Sequence, residues 1–143
     1  DVSYAYTDAA LAEDYFNGNP PTLWGADGDR LPGSSKHTFS LFADWQSPLT
    51  SNLDLSANAN YLYMSSREGS ISPVETPDLP GLGTVNLSIG MQHDNGVSVS
   101  LFASNLLDER KKSLDFPHGA GSVLRVFNMN SPRTLGLRAG YQF

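Results

Sequence analysis

Only a few residues of this chain have the types that metal binding requires, and their spacing decides whether they could form a site. Asp27-Gly28-Asp29 could form half of a calcium loop, since alternating carboxylates are good ligands for hard cations, but the later glutamate of the EF-hand pattern is absent. The histidines, His37, His93 and His118, lie in three different segments, with no pair at metal-ligand spacing. We therefore expect a solvated turn at 27–29, ordinary turn or loop histidines, and neither a metal site nor a cofactor.

Covalent catalysis also lacks a recognisable motif. The sequence has no Gly-x-Ser-x-Gly elbow and no phosphate-binding glycine loop, and its serine, histidine and aspartate residues do not converge on one segment. It contains no cysteine, which excludes disulfides and thiolate metal sites. A formal net charge of −6 without a basic stripe argues against a nucleic-acid partner. The sequence predicts a protein that is not an enzyme.

The elements that position these residues are predicted to be β-strands with one apolar face. In the closing segment, Leu135, Leu137 and Ala139 alternate with polar residues or glycine, the pattern of a half-buried strand. Strands with this alternation are predicted at Val2–Asp8, Lys36–Gln46, Leu53–Met64, Thr84–Gln92, Val97–Ser104 and Arg133–Phe143. Large apolar residues interrupt the polar face at Phe42, Leu62, Met64 and Phe102. No apolar run is long enough for a membrane-spanning helix.

Short and long connections alternate along the chain. Ser47–Asn52 and His93–Gly96, the second with an Asn-Gly pair, are predicted tight turns. Long connections are predicted at Ala9–Ser35, Ser65–Gly83 and Asn105–Pro132. An antiparallel up-and-down meander places all long loops at one end and all short turns at the other. This is the layout of an outer-membrane β-barrel, with long external loops and short periplasmic turns.

The polar face of the predicted strands suits an enclosed, water-filled lumen better than bulk solvent. It is rich in Ser, Asn, Gln and Gly, and its only charged residues within the strands are Asp44, Asp54 and Arg138. Hydrocarbon is then expected on the other face. The candidates for lumen-facing residues are Asn58, Asn60, Gln92, Ser100 and Arg138.

Aromatic residues are expected at both ends of the apolar face. Trp45, Tyr141 and Phe143 belong to the short-turn end, and Tyr61 and Tyr63 to the long-loop end. Two such belts, separated by smaller aliphatic residues, match the interfacial girdles of membrane barrels. The general preference of aromatic residues for strands is the alternative explanation.

Three sequence blocks resemble TonB-dependent outer-membrane receptors. "ASNLLDERKK" resembles their Asn-Leu-Phe-Asp motif, with Asn105, Leu106 and Asp108 matching, Leu107 in place of Phe, and Lys111 where Tyr is usual. "DGDRLPGSSKHTFSLFADW" is similar to their Gly-x-x-Leu-Pro-x-x-Pro-Lys-His segment, with Ser35 for the second proline. "SPRTLGLRAGYQF" is similar to their closing Pro-Arg-Thr-x-Gly strand. The blocks follow the family order and span nearly the whole chain.

The resemblance implies that residues 1–143 form the C-terminal portion of a receptor barrel, without the plug domain. Six strands do not close a membrane barrel, since the smallest have about 8 strands and plugged transporters about 22. The chain starts at Asp1, so a processed product or a piece of a longer protein is expected. By resemblance, the alternating Leu137, Ala139, Tyr141 and Phe143 would be the signal that the barrel-insertion machinery reads.

The implied function is ligand-gated uptake of a scarce nutrient, most often an iron–siderophore complex, across the bacterial outer membrane. The implied partners are outer-membrane lipid, the remaining barrel strands and plug, TonB through the absent N-terminal region, and a small nutrient. A soluble antiparallel β-sandwich with a binding or structural role, or an outer-membrane barrel enzyme, are the alternatives. Contact of His37 or His118 with the nutrient, and of the 109–112 charge run with lipopolysaccharide phosphate, also stay open.

Overall fold

A computed structural model describes residues 1–71, 78–117 and 124–142, with the backbone alone at 114–117. The described residues form ten β-strands and no helix, which confirms the all-β prediction. The strands are β1 (Val2–Tyr6), β2 (Tyr15–Asn17), β3 (Thr22–Gly25), β4 (His37–Thr50), β5 (Leu53–Met64), β6 (Leu82–His93), β7 (Val97–Ser104), β8 (Lys112–Pro117), β9 (Arg125–Met129) and β10 (Thr134–Tyr141).

Six of these strands form one antiparallel sheet in the order β1-β4-β5-β6-β7-β10. They correspond to the six strands predicted by alternation, and the sheet is open, with β1 and β10 at its edges. The long connections leave the sheet at what we call the loop end, where β5 and β7 finish. The tight connections lie at the opposite, turn end. The predicted up-and-down meander is therefore confirmed.

The predicted turn at Ser47–Asn52 is wrong in its first half. The strand β4 continues through Pro48, which pairs with Asp54, and it ends only at Thr50. The pairing shifts between Pro48 and Thr50, and this irregularity accommodates a residue that has no backbone N–H to donate. Trp45 consequently lies farther from the turn than the sequence indicates, in the middle of β4, opposite Ala57.

Strand pairing places apolar side chains beside apolar side chains across the sheet. Because side chains alternate between faces, residues directly opposite each other share a face. One apolar row runs Ala43, Ala59, Leu87, Ala103 and Leu135. The next runs Trp45, Ala57, Ile89, Leu101 and Leu137. The register thus gathers the alternation of each strand into one continuous apolar face.

Nothing in the described chain covers this apolar face. Ile89, at the centre of the sheet, is 49% exposed, and Leu137 is 66% exposed. Leu79, in the loop between β5 and β6, is the one large apolar side chain that is buried among the described residues. A soluble sandwich requires a second layer packed against such a face. The arrangement favours a membrane-facing wall over the sandwich alternative.

The predicted Asn-Gly hairpin connects β6 to β7 and also contacts the last strand. Gly96 adopts a φ of 89°, and its N–H donates to the His93 carbonyl at 2.9 Å. Its own carbonyl accepts the N–H of Gln142 at 2.9 Å, just beyond the end of β10. A Cβ at position 96 would lie 2.1 Å from the Gln142 carbonyl oxygen. Two independent constraints therefore require glycine here.

Replacing Gly96 by alanine is expected to destabilise the sheet more than the same change at Gly28. Both glycines have positive φ, 89° and 86°, but a Cβ at Gly28 meets nothing within 4 Å. The left-handed backbone alone costs an alanine about 1–2 kcal/mol, so Gly28→Ala measures that term. Gly96→Ala adds the collision with Gln142. Urea unfolding in detergent micelles compares the two, and equal losses would contradict the proposed close approach.

Two short hairpins inside the long connections were not predicted. In the first connection β2 pairs with β3, and in the third β8 pairs with β9. Both contain a register irregularity, and β2 has only three residues. Strands this short show no alternation that a sequence pattern would detect. The long loops are therefore partly folded projections from the loop end.

Candidate functional site: the loop end of the sheet

A tight turn, with its first and last residues in the left-handed region, begins where β7 leaves the sheet. Asn105 has a φ of 48° and Asp108 a φ of 53°, a region that asparagine and aspartate tolerate better than other side-chain-bearing residues. The Asp108 N–H donates to the Asn105 carbonyl at 2.9 Å and closes the turn. The Leu106 N–H donates to the Val85 carbonyl of β6 at 2.8 Å. Asparagine and aspartate are therefore favoured at these positions by backbone geometry as well as by their side-chain contacts.

The Asn105 side chain is buried, 5% exposed, and holds both ends of the third long connection. Its Nδ2 donates to the carbonyl oxygens of Glu109 and Ser131, both at 2.9 Å, and its Oδ1 accepts the Glu109 N–H at 3.2 Å. Asn130 adds a second cross-link, because its Nδ2 donates to the Glu109 carbonyl and its Oδ1 accepts the Lys111 N–H at 2.8 Å. We call Asn105, Asp108, Glu109, Asn130 and Ser131 the Asn105 clasp.

Asp108 joins the clasp to the start of β10. Its Oδ1 accepts the backbone N–H of Arg133 at 2.9 Å, and its carboxylate also accepts the Arg110 guanidinium at 3.2 and 3.3 Å. The hydrogen bond from Arg133, followed by that from Arg110, holds the pKa of Asp108 below its ordinary value. Since the pKa is lowered on folding, these bonds stabilise the fold above the ordinary carboxyl pKa and are lost as the pH falls through the folded value.

Glu109 connects the clasp to β6. Its Oε2 accepts the Gly83 N–H at 3.1 Å and lies 3.4 Å from the Lys111 Nζ. The Gly83 hydrogen bond is the main reason that the pKa of Glu109 also lies below its ordinary value. Glu109 is therefore ionised at neutral pH and keeps both contacts there. The clasp thus ties β6, β7 and β10 together at the loop end.

A ladder of asparagines leads from the clasp onto the polar face of the sheet. The Asn105 N–H donates to the Asn86 Oδ1 at 3.0 Å, and the Asn86 Nδ2 donates to the Asn60 Oδ1 at 3.3 Å. Asn60 was a predicted lumen-facing residue, whereas Asn86 and Asn105 were not predicted to connect to it. Asn60 and Asn86 lie directly opposite each other on the polar face, so the register of β5 and β6 identifies this pair. Asn105 follows β7 and joins the ladder through its backbone N–H.

The predicted lumen-facing residues share one face but do not form a single cluster. Asn58 lies opposite Ser88 in the middle of β5, and Asn60 lies opposite Asn86, closer to the loop end. The Ser100–Arg138 pair and then Gln92, opposite Asp54 and Ser98, follow toward the turn end. All five share the polar face of the sheet, and their assignment to a barrel lumen stays a prediction.

The first two long connections contact each other through Glu68. Its carbonyl accepts the Gly33 N–H at 2.9 Å, and its Oε1 lies 3.9 Å from the Arg30 Nη1. Close packing supports these contacts, because a Cβ at buried Gly25 would lie 2.7 Å from both Ile71 Cγ1 and Leu11 Cδ1. The first hairpin and the second connection therefore form one packed unit.

The second connection also reaches the third. The neighbouring residue, Arg67, pairs with Leu79 through two backbone hydrogen bonds of 2.9 and 2.8 Å, and its Nη2 donates to the Ser113 carbonyl at 3.5 Å. Arg67 and Glu68 together contact all three long connections. The loop end is accordingly one linked surface rather than three separate projections.

A comparison with family models gives a match over residues 1–106 to the TonB dependent receptor-like β-barrel family. The chain belongs to this family. The predicted family is confirmed, and this family consists of outer-membrane receptor barrels that act as transporters. No curated protein and no solved structure matches the chain.

The receptor-family match ends at Leu106, inside the clasp. The segment with "GDRLPGSSKH" lies within it, and there Asp29 has a structural role, since its Oδ2 accepts the Ala26 N–H at 2.8 Å beside Gly28. Asp27 likewise donates its N–H to the Asp14 Oδ1 at 2.8 Å. The predicted turn at 27–29 is thus built around these carboxylates. None of the described segments contains a cluster of three or more metal-ligating residues.

The two histidines in the described part of this receptor barrel lie at opposite ends of the sheet. The His37 Nδ1 contacts the Tyr4 hydroxyl at 2.9 Å at the loop end, while the His93 Nδ1 accepts the Asn95 N–H at 3.1 Å at the turn end. His118 lies outside the described residues. Neither described histidine has a carboxylate partner of the kind that orients a catalytic base.

Within the described segments no helix is long and apolar enough to cross a bilayer.

The predicted C-terminal insertion signal lies largely on β10. Leu137, Ala139 and Tyr141 pair with Leu101, Val99 and Val97 on the apolar face, as the alternation requires. Phe143 lies outside the described residues. The use of these residues as a signal stays a prediction, since residues 107–143 lie beyond the family match.

Proposed function

We propose that residues 1–143 form the C-terminal part of the barrel wall of a TonB-dependent transporter that imports a scarce nutrient, with an iron–siderophore complex as the first candidate. The separation of an uncovered apolar face from a polar face across all six strands is the observation that carries this proposal. One face then contacts acyl chains, and the other lines the lumen around a plug domain.

The two open edges of the sheet support a larger barrel. Unpaired backbone groups at β1 and β10 cost several kcal/mol each in hydrocarbon, so a membrane sheet must close on further strands. A barrel wide enough for a plug has about 22 strands, of which the chain supplies six. The remaining strands and the plug are thus the first partners of this chain, and bacterial outer-membrane lipid is the next.

Nutrient capture is proposed at the loop end. The three long connections contact one another through Arg67 and Glu68, which gives the nutrient one continuous outer surface to bind. The Asn60–Asn86–Asn105 ladder extends from that surface toward the lumen. Energy comes from TonB acting on the plug, so no bond of the nutrient is made or broken and no residue of the wall needs a catalytic role.

An uptake assay in cells that produce the full-length receptor tests this function. Cells starved of iron are given radiolabelled ferric complexes of hydroxamate, catecholate and carboxylate siderophores, with cobalamin as a non-iron comparison. We expect accumulation of one class that depends on both the receptor and TonB. Accumulation that persists without TonB contradicts the energy-coupled mechanism, and uptake of cobalamin alone contradicts the siderophore assignment.

Membrane fractionation separates the transporter from the soluble alternative. The full-length protein is expected in the outer-membrane fraction, resistant to carbonate extraction and soluble only with detergent. A folded, monomeric protein in detergent-free buffer would contradict the proposal, because the face around Ile89 and Leu137 would then need another cover.

A further inference from the structure

The register of the closing strand is not determined by a turn. A three-residue connection, Asp94–Gly96, fixes the pairing of β6 with β7, but 29 residues, 105–133, separate β7 from β10. The two strands nevertheless pair from Thr134 opposite Ser104 to Tyr141 opposite Val97. Something other than connection length must select this register.

The alternation of apolar and polar residues determines the register of β10 on β7 only in part. A slip of one residue would exchange the two faces of β10, which the membrane forbids. A slip of two residues keeps every apolar side chain on the apolar face, because side chains alternate between the faces with a period of two. Leu137 and Ala139 would then still lie opposite apolar residues of β7. The alternation therefore leaves registers two residues apart almost equivalent.

The polar face distinguishes these registers by size. Phe102 is one of the few large apolar residues on that face, and Gly136 lies directly opposite it. A Cβ at position 136 would lie 2.4 Å from the Phe102 Cζ and 2.5 Å from its Cε1, so the ring occupies the space that a side chain would need. The Arg138 guanidinium carbon, at the next position on this face, lies 5.8 Å from the ring centroid, within the range of a cation–π contact.

We propose that Phe102, with Gly136 and Arg138, sets the register of β10 on β7 as the barrel closes. A two-residue slip brings either Arg138 or Thr134 opposite Phe102. Each has a Cβ where the ring now lies, and the ring loses its place over the glycine backbone. The inference concerns assembly of the wall and goes beyond the proposed transport function.

The contacts at the two ends of β10 do not replace this selection. Asp108 accepts the backbone N–H of Arg133, Asn105 donates to the backbone carbonyl of Ser131, and Gly96 accepts the backbone N–H of Gln142. Any residue that slips into those places offers the same backbone groups. The match of the Phe102 ring to Gly136 and its contact with Arg138, by contrast, depend on which residues are present.

A different account of Gly136 makes the opposite prediction. Glycine within a strand normally weakens it, because it has no side chain to pack and loses more conformational freedom on folding. If Gly136 had no specific role, valine there would strengthen β10, since β-branched residues favour strands. Under the proposal, valine displaces the Phe102 ring and removes the preference for the native register.

Disulfide cross-linking in the full-length receptor measures the register directly. This chain has no cysteine, so pairs introduced on the apolar face report the strand alignment. Leu101→Cys with Leu137→Cys reports the native pairing, and Leu101→Cys with Leu135→Cys or Ala139→Cys reports slips of two residues. Without further changes, we expect the native pair to dominate.

Phe102→Ala and Gly136→Val are each expected to raise the ratio of slipped to native cross-link about tenfold, equivalent to about 1.4 kcal/mol. The exchange Phe102→Gly with Gly136→Phe is expected to restore the native ratio, because it moves the ring to the facing strand. Gly140→Ala is the matched control, as its Cβ would meet only the Ser98 Oγ, at 2.9 Å, and a hydroxyl can rotate away.

Native cross-linking at the normal ratio in both Phe102→Ala and Gly136→Val would overturn the proposal, as would failure of the exchange to restore it. If a variant does not accumulate in the outer membrane, the same cysteine pairs are read after refolding in detergent micelles. The cross-link is independent of uptake, so loss of transport with native cross-linking counts against the proposed function and not against the register proposal.

Discussion

Asn105→Ala is expected to destabilise the folded receptor by about 3 kcal/mol, since it removes three side-chain hydrogen bonds worth about 1 kcal/mol each. The variant leaves the carbonyls of Glu109 and Ser131 and the Glu109 N–H without the partner that now joins them. It also places alanine at a φ of 48°, which adds to the loss. The Asn130 cross-link to the Glu109 carbonyl and the Lys111 N–H remains, so the two ends of the 105–132 connection are then held together less firmly.

The measurement is urea unfolding of the receptor in detergent micelles, together with the rate of protease cleavage within 105–132. Asn128→Ala, at an exposed position of β9 in the same connection, is the matched control. Asn105→Asp distinguishes the two sides of the clasp, because it keeps an acceptor for the Glu109 N–H but loses both donors. Equal stability of the Asn105→Ala and Asn128→Ala variants would contradict the role of the clasp.

Ile89→Arg is expected to prevent or strongly impair insertion, whereas Ser88→Arg, one residue away, is expected to be accepted. Ile89 lies in the middle of β6 on the exposed apolar face, and Ser88 lies on the polar face between Asn58 and Phe102. An arginine at the lipid face near the bilayer centre costs about 2–4 kcal/mol. On the lumen face the same side chain remains in water.

Heat-modifiable migration in gels and unfolding in lipid vesicles report the folded fraction of both variants. The pair is closely matched, because strand, substituted side chain and depth in the membrane are nearly the same. A larger loss for Ser88→Arg than for Ile89→Arg would reverse the assignment of the two faces and would reject the barrel wall.

The six main strands were predictable because their faces obey the alternation that lipid on one side and water on the other require. The match of β5 and β7 to the predicted bounds follows from clear polar or glycine-containing turns beside them. The end of β4 was not predictable, because Pro48 indicates a turn and the strand passes it only through a register irregularity. At this point, pairing with β5 overrides the preference of proline for a turn.

For the site at the loop end, the sequence revealed a family motif but not the contacts that its residues make. The Asn-Leu-x-Asp block indicated the family. The hydrogen-bond partners of Asn105 could not be predicted, because they are backbone groups of Glu109 and Ser131, and every residue type carries such groups. The hairpins β2–β3 and β8–β9 depend on contacts between connections that are distant in sequence. Phe102 looked like an exception to the polar face, and only the register shows that it faces a glycine.

The closed base of the third connection has an evolutionary consequence. Asn105 and Asn130 bind its two ends together beneath β8 and β9, so the chain between 112 and 129 begins and returns at one fixed point. Insertions, deletions or exchange of that segment are therefore expected to leave the pairing of the wall unchanged. Under the proposed function, such changes would alter the outer surface that binds the nutrient while the wall stays the same.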